Sequence, residues 1–169
     1  MGKALAFETR ESLVGDASVL IDFCAGAPTA LPLIERHLGD LHVPSTILEE
    51  VDGLTEGDLQ KLGLRLYEPK LAQLAAAAIP LSGLSFPDRV CLRVGADEGW
   101  AVVTNDKPLR KACCETGVKV YWGFELLCGL VDAGATSAEK AMEIAHAIAA
   151  TNKYITQPVL DGLKRMLGL

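Results

Sequence analysis

The sequence has no excess of positive charge. It carries 16 Lys and Arg residues against 22 Asp and Glu residues, which gives a net charge of −6 at pH 7. Proteins that coat nucleic acid without sequence preference are usually basic, so this composition argues against that class. Nucleic acid as a substrate remains compatible with the composition, because a local rim of basic residues is enough to bind it.

Paired cysteines are also missing. The number of cysteines is odd and no C-x-x-C spacing occurs, so neither a disulfide framework nor a zinc ribbon is indicated. Four of the five lie in apolar runs and are expected to be small core residues of a protein in a reducing compartment. The five are Cys24, Cys91, Cys113, Cys114 and Cys128.

Long hydrophobic runs and nucleotide-binding motifs are absent as well. No window has the length of apolar sequence that spans a bilayer, and the first 20 residues lack the apolar centre of a signal peptide. There is no P-loop and no G-x-G-x-x-G motif. The sequence therefore predicts a soluble, cytoplasmic protein without a membrane partner.

What the sequence does contain is an alternation of strands and helices. Half of the 169 residues are hydrophobic, enough for a substantial core. We predict buried strands at ASVLIDF (17–23), DLHVP, LRLYEP, WAVVTND and VKVYWG, with helices between them. This alternation is typical of an α/β sandwich around a mostly parallel sheet.

After Phe124 the pattern is helical only. We predict one domain over residues 1–169, with a core at about 17–123 and a C-terminal helical extension at about 124–169. The Ala-rich helix at 138–149 permits close packing, either on the chain's own domain or on another subunit.

Four acidic residues are candidates for a common site. Asp22 and Asp106 end predicted strands, and ligands bind beyond the carboxyl ends of parallel strands. Glu50 falls on the apolar stripe of the helix that begins at Ser45, so it is predicted to point inward. Asp88 shares a helix face with Cys91 and other small or apolar residues.

Each acid also has a purely structural explanation. Asp106 can cap the helix that begins at Lys107, and the Ser85-x-x-Asp88 pattern is a capping box. Asp22 can hold a turn, and Glu50 can reach solvent.

A common explanation for the four acids is a metal ion. Two carboxylates about 4 Å apart repel by roughly 4 kcal/mol at an effective dielectric near 20, so several together need a cation. Oxygen ligands favour Mg²⁺ or Mn²⁺ over zinc.

The order of these motifs resembles the PIN-domain ribonuclease family, and within it the VapC-like toxins and their relatives. The matching segments are VLIDFCAG, VPSTILEEVDGL, LSFPDRVCLRVGADEG and WAVVTNDKPLRKACCETGVKV, which span residues 19–120, about 60% of the chain. The resemblance implies a PIN-like three-layer sandwich. It also implies a Mg²⁺- or Mn²⁺-dependent endoribonuclease whose catalytic and metal-binding acids are Asp22, Glu50, Asp88 and Asp106.

The resemblance also implies partners. Thr104 and Asn105 match polar residues beside the fourth acid, which are expected to hold that acid in place or to contact a water or the substrate. Basic residues nearby are expected to contact RNA phosphates, namely Lys107, Arg110, Lys111 and Arg89. An RNA substrate, a small antitoxin protein and a homodimer are the expected partners. Pro108 stands where many relatives have a further acid. The alternative is a catalytically inactive PIN-like binding or assembly module.

Overall fold

A computed structural model describes Phe7 and residues 10–169 of the chain. It contains five strands: β1 (Leu13–Gly15), β2 (Leu41–Pro44), β3 (Arg65–Tyr67), β4 (Ala101–Val103) and β5 (Val120–Tyr121). The prediction that the N-terminus is not a signal peptide concerns the first 20 residues, of which residues 1–6, 8 and 9 lie outside the described residues.

Ten helices are described between and after these strands. They are α1 (Ala17–Gly26), α2 (Ala30–His37), α3 (Ser45–Leu48), α4 (Glu56–Lys61), α5 (Leu71–Ala77), α6 (Phe86–Glu98), α7 (Lys107–Thr116), α8 (Gly123–Asp132), α9 (Ala138–Thr151) and α10 (Gln157–Met166).

The strands form one parallel sheet in the order β3-β2-β1-β4-β5. Every residue of β1 and β4 is buried, as expected for central parallel strands. Leu13 pairs with Leu41 on one side and with Ala101 on the other, so β1 lies at the centre. The predicted α/β sandwich with a parallel sheet flanked by helices and with C-terminal helices is confirmed.

Helices cover the sheet in two groups. Helix α6 packs on β1 and β4 and contacts α5 and α7, whereas α9 packs on α1, α8 and α10. The C-terminal helices therefore pack on the chain's own first helix, which confirms one of the two packing alternatives for the Ala-rich segment. Helix α6 ends at Gly99, whose φ of 70° is the left-handed conformation that glycine adopts without strain.

One predicted strand is wrong. Residues 17–23, expected to be the first strand, lie in helix α1, and the first strand is the preceding Leu13–Gly15. The sheet thus begins before the predicted core boundary at residue 17. Ile21 is 47% exposed, which a strand buried on both faces would not permit but one side of a helix does.

Candidate functional site

The strand order reverses between β1 and β4. The chain passes from β1 to β2 and β3 on one side of the sheet and then continues at β4 on the other side of β1. Ligands of open parallel sheets bind at this kind of reversal, beyond the carboxyl ends of the two strands. Asp16 follows β1 directly and Thr104 follows β4 directly, so both lie at this edge.

Asp16 is the buried acid of this edge. Only 2% of the residue is exposed. It caps helix α1: its Oδ1 accepts hydrogen bonds from the backbone N–H of Val19 at 3.0 Å and from the Ser18 hydroxyl at 2.7 Å. Its Oδ2 accepts a short hydrogen bond from the Thr104 hydroxyl.

The charge of Asp16 is only partly compensated by these donors. Burial raises the pKa of its carboxyl to about 6, even though its hydrogen bonds from Thr104, Val19 and Ser18 favour the charged form, and the negative charge of Asp88 raises it further. A carboxyl with a pKa raised by burial at a ligand-binding edge is typical of functional sites.

The end of β4 is held by Thr104. This residue is fully buried, and its Oγ1 accepts a hydrogen bond from the backbone N–H of Asp106 at 2.9 Å while its hydroxyl proton goes to Asp16. Asp106 is half-buried and caps helix α7, accepting from the backbone N–H of Leu109 at 3.0 Å. Asp106 is therefore a helix cap, and this role occupies one of its two carboxylate oxygens.

Asp88 is likewise part of a helix cap. Its Oδ2 accepts from the backbone N–H and the hydroxyl of Ser85, at 3.1 and 2.7 Å, and Ser85 in turn caps helix α6. The predicted capping box is thus confirmed. Asp88 also acts at longer range, because its negative charge raises the pKa of both Asp16 and Glu50. These three acids share one electrostatic environment.

The predicted inward orientation of Glu50 is wrong. Ser45 was predicted to cap helix α3 but is its first residue, after Pro44 at the N-cap. The helix ends at Leu48, so Glu50 lies in the turn that follows and is exposed, like Glu49. Burial nevertheless raises the pKa of the Glu50 carboxyl, and the charge of Asp88 adds to that effect. Glu50 is therefore an exposed acid whose carboxyl is affected by the charge of Asp88.

Asp22 does not end a strand, contrary to the prediction. It lies within α1, 5% exposed, and each of its carboxylate oxygens accepts a hydrogen bond from a side-chain amide. Asn105 donates to Oδ2 at 2.9 Å and Asn152 donates to Oδ1 at 2.8 Å. Burial raises the pKa of Asp22, and the two amides partly offset that effect.

These contacts join into one hydrogen-bonded set, which we call the switch-point network. The backbone N–H of Asn105 donates to the Ser18 hydroxyl at 3.1 Å, and that hydroxyl donates to Asp16. The network consists of Asp16, Ser18, Asp22, Thr104, Asn105 and Asn152.

The predicted basic rim is only partly available. The guanidinium of Arg110 stacks over the Trp122 ring, 4.4 Å from its centroid, and lies 3.8 Å from Glu125. Arg89 donates to the backbone carbonyls of Ala77 and Leu84, at 2.6 and 2.8 Å. The charged groups of both arginines are therefore engaged in contacts within the chain.

The two lysines of the rim remain at the surface. Lys107 and Lys111 line an open cavity of about 400 Å³ between α7 and the loop before α6, together with Leu81, Ser82 and Pro108. Lys111 also lies 3.7 Å from Glu115.

The donor chemistry of the acidic edge fits a hard divalent cation. In the described part of the chain, no ion pair links a Lys or Arg to Asp16, Glu50, Asp88 or Asp106. Over the same residues, no three His, Cys, Asp or Glu side chains form a preassembled metal site. The negative charge of Asp88 raises the pKa of Asp16 and of Glu50, but the described acids are not arranged as a closed ligand set.

Asp16, Ser18 and Asn152 were not predicted as site residues. A signal for Asp16 was present, since it follows the apolar residues Leu13 and Val14 as Asp106 follows its strand, and an Asp before an apolar run is also a helix-cap signal. Asn152 lies 130 residues from its partner Asp22, and no local pattern links the two.

Comparison with known proteins does not identify the chain. No protein-family model matches it, and no curated protein matches it. Within Phe7 and residues 10–169, none of the helices is sufficiently long and apolar to traverse a membrane.

Proposed function

We propose that this chain is a PIN-like endoribonuclease that depends on Mg²⁺ or Mn²⁺. The observation that carries the proposal is Asp16: a buried carboxyl at the β1–β4 switch point, with a raised pKa, near other acids and without a cationic partner among the described residues. A buried charge without a paired cation is costly, so such a site is expected to take its positive charge from a ligand.

Asp16, Asp88 and Asp106 would hold the ion, with Glu50 at the solvent side. Asp16 replaces Asp22 in the set that the resemblance implied, because Asp22 directs both oxygens at amides. When bound, a divalent cation supplies a water of lowered pKa and stabilises negative charge on a phosphate. Oxygen donors of this kind suit Mg²⁺ and Mn²⁺.

The other residues of the site orient these acids. The Thr104 hydroxyl fixes the rotamer of Asp16 and accepts from the backbone N–H of Asp106, so it sets both acids relative to each other. Lys107 would contact a substrate phosphate. The cytoplasmic location, the toxin role, a small antitoxin partner and a homodimer stay predictions of the sequence.

The test uses two aspartates with the same structural role. Asp58 and Asp88 both accept from the backbone and hydroxyl of a capping Thr or Ser with matching distances, but only Asp88 is electrostatically coupled to Asp16. We expect Asp88→Asn to lower Mn²⁺-dependent cleavage of single-stranded RNA at least about 100-fold, or about 2.7 kcal/mol in activation free energy. We expect Asp58→Asn to leave it unchanged. Equal activity of the two variants would contradict the proposal.

A second candidate is a non-catalytic binding or assembly module. It is favoured by one observation, that Asp88 and Asp106 each use a carboxylate oxygen in a helix cap. Calorimetric titration of the folded wild-type protein with Mn²⁺ separates the two functions. Absence of binding would favour the module, and binding that Asp16→Asn abolishes would favour the nuclease.

A further inference from the structure

The C-terminal helix α9 lies directly against α1. A Cβ atom added at Gly26 would come within 2.5 Å of the Ile148 Cα, so the two backbones meet there with no room for a side chain. One helical turn away on each helix, Asp22 accepts from Asn152. Because residue 26 lies opposite 148 and residue 22 opposite 152, the two helices run antiparallel.

The Asp22 carboxylate is a bridge between two amides. Asn152, which follows the last turn of α9, donates to one oxygen at 2.8 Å, and Asn105 donates to the other at 2.9 Å. The side-chain Oδ1 of Asn105 accepts a hydrogen bond from the backbone N–H of Gly123 at 2.9 Å. Both ends of the Asn105 amide are therefore fixed, and its orientation is determined by its partners.

The hydrogen-bonded path continues from Asn105 to Asp16. Asn105 lies between Thr104, which donates to Asp16, and Asp106, which caps α7. Its backbone N–H donates to the Ser18 hydroxyl at 3.1 Å, which donates to Asp16 Oδ1 at 2.7 Å. A continuous hydrogen-bonded path thus joins the C-terminal helix to the acid at the switch point.

We propose that Asn152, Asp22 and Asn105 form a positioning bridge through which the C-terminal helices hold the segment 104–106 and Asp16 in the geometry needed for the reaction. The bridge rests on the proposed function for its catalytic consequence, although its structural part stands independently. All three are positioning residues in this proposal, because they act through Asp16 and Asp106.

The side chains of Asp22 and Asn152 are nearly isosteric, so the carboxylate and the amide can be exchanged between the two positions. Asn152→Asp places a second carboxylate against Asp22, which removes a donor and adds like-charge repulsion in a buried site. The double variant Asp22→Asn/Asn152→Asp restores a single charge. Its new amide at position 22 donates to residue 152 and accepts from Asn105, so the path is again complete.

The experiment compares wild type, the single variant and the double variant. We expect Asn152→Asp to reduce kcat for Mn²⁺-dependent RNA cleavage about tenfold or more with KM within about twofold, and the double variant to recover to within about threefold of wild type. Gln157→Glu is the control, because Gln157 donates to Asp161 at 2.8 Å in an exposed pair outside the network. It is expected to have no effect.

A second measurement needs neither metal nor RNA. The backbone amides of Val19, Asn105 and Asp106 donate to side-chain oxygens of Asp16, Ser18 and Thr104. We expect their hydrogen-exchange protection to fall about tenfold in Asn152→Asp and to return in the double variant. Asn152→Ala, which removes the donor without adding charge, is measured in the same way should the charged variant not fold.

These outcomes separate the bridge from the proposed function. Unchanged exchange at Asn105 in both Asn152 variants, or a double variant no better than the single, would overturn the bridge. Wild-type protein without nuclease activity would overturn the proposed function, while the exchange measurements would still decide the structural part of the bridge.

Discussion

Two polar networks in this molecule shift the pKa of a carboxylate in opposite directions. In the first, which we call the Glu98 cluster (Tyr67, Lys70, Gln73 and Glu98), the carboxylate accepts from Tyr67 at 2.9 Å, from Gln73 at 3.0 Å and from the Lys70 ammonium. The hydrogen bond from Lys70 is the largest cause that lowers the pKa of Glu98. This carboxylate has a cation and stays charged.

The switch-point network has carboxylates but only neutral donors. Asp16 and Asp22 receive hydrogen bonds from hydroxyl, amide and backbone groups, and burial raises the pKa of both. The two networks contain similar numbers of polar groups, so hydrogen bonding alone does not distinguish them. Burial and the cation do: Asp16 and Asp22 are buried with neutral donors only, whereas Glu98 is less buried and is paired with Lys70.

The largest expected effect comes from removing the Asp16 charge. The folded-state pKa of about 6 exceeds the ordinary value of 3.8, so between these values the folded state binds more protons than the unfolded chain. Stability therefore falls as the pH rises through this range, and the charged carboxyl destabilises the protein at pH 7. We expect Asp16→Asn to raise the free energy of unfolding by about 1–3 kcal/mol at pH 7. We expect the same variant to lose at least about 100-fold in cleavage.

Urea denaturation at pH 7 and pH 4 checks the sign of this effect. The gain of Asp16→Asn over wild type should shrink toward zero at pH 4, where the wild-type carboxyl is also protonated. Gln73→Met in the Glu98 cluster is the contrast. It removes the hydrogen bonds that the buried Gln73 amide makes with Tyr67, Glu98 and the Lys70 backbone N–H, so it is expected to lower stability by about 1–3 kcal/mol and to leave cleavage unchanged. A destabilised Asp16→Asn at pH 7 would contradict the contrast between the networks.

Most elements of the fold were predictable because their signals are local. Ser85 and Asp88 form a capping box within four residues, and the helix after β4 begins at Lys107 as predicted. The apolar run at 17–23 misled because periodicity does not separate a short apolar strand from a buried helix. The true strand has three residues, and its acid, Asp16, also caps the helix.

The site was predictable only in part. The sequence predicted that Asp106 ends its strand, but β4 ends at Val103, Thr104 follows it directly, and Asp106 caps the next helix. Glu50 was misplaced because its helix stops at Leu48, before the turn at Gly53 with its φ of 76°. The Asp22–Asn152 contact depends on the packing of α9 on α1, which no short segment of sequence encodes.

The packing of α9 on α1 gives the next largest effect. Gly26→Ala would place its Cβ 2.5 Å from the Ile148 Cα, and a backbone atom cannot move aside as a side chain can. We expect a loss of about 2–3 kcal/mol in the free energy of unfolding. Separating the two helices stretches the hydrogen bond from Asn152 to Asp22, so the switch-point network is expected to lose hydrogen-exchange protection. The Glu98 cluster should keep its protection.

Gly57→Ala in helix α4 is the matched control. Its new Cβ meets only the Thr55 Oγ1, at 3.7 Å, so alanine is accommodated. We expect a gain of about 0.5–1 kcal/mol from the higher helix propensity of alanine. If chemical denaturation showed Gly26→Ala to be as stable as Gly57→Ala, the close contact between α1 and α9 would not be a constraint.

The smallest expected effect distinguishes a buried threonine hydroxyl that forms hydrogen bonds from one without a partner among the described residues. Thr104 is fully buried and its hydroxyl serves both Asp16 and Asp106, so Thr104→Val should lower stability by about 1–2 kcal/mol. The Thr46 Oγ1 is also buried but has no hydrogen-bond partner among the described residues, so Thr46→Val should raise stability by up to about 1 kcal/mol.

The two threonine variants also differ in their effect on Asp16. Loss of the Thr104 donor removes an interaction that lowers the pKa of Asp16, so the pKa should rise further and the acidic limb of the pH–rate profile should move to higher pH. Thr46→Val should leave that limb in place. Thermal unfolding and pH–rate profiles of both variants provide the measurement. A shared shift of the acidic limb would mean that Thr104 acts through general packing and not through its hydrogen bond to Asp16.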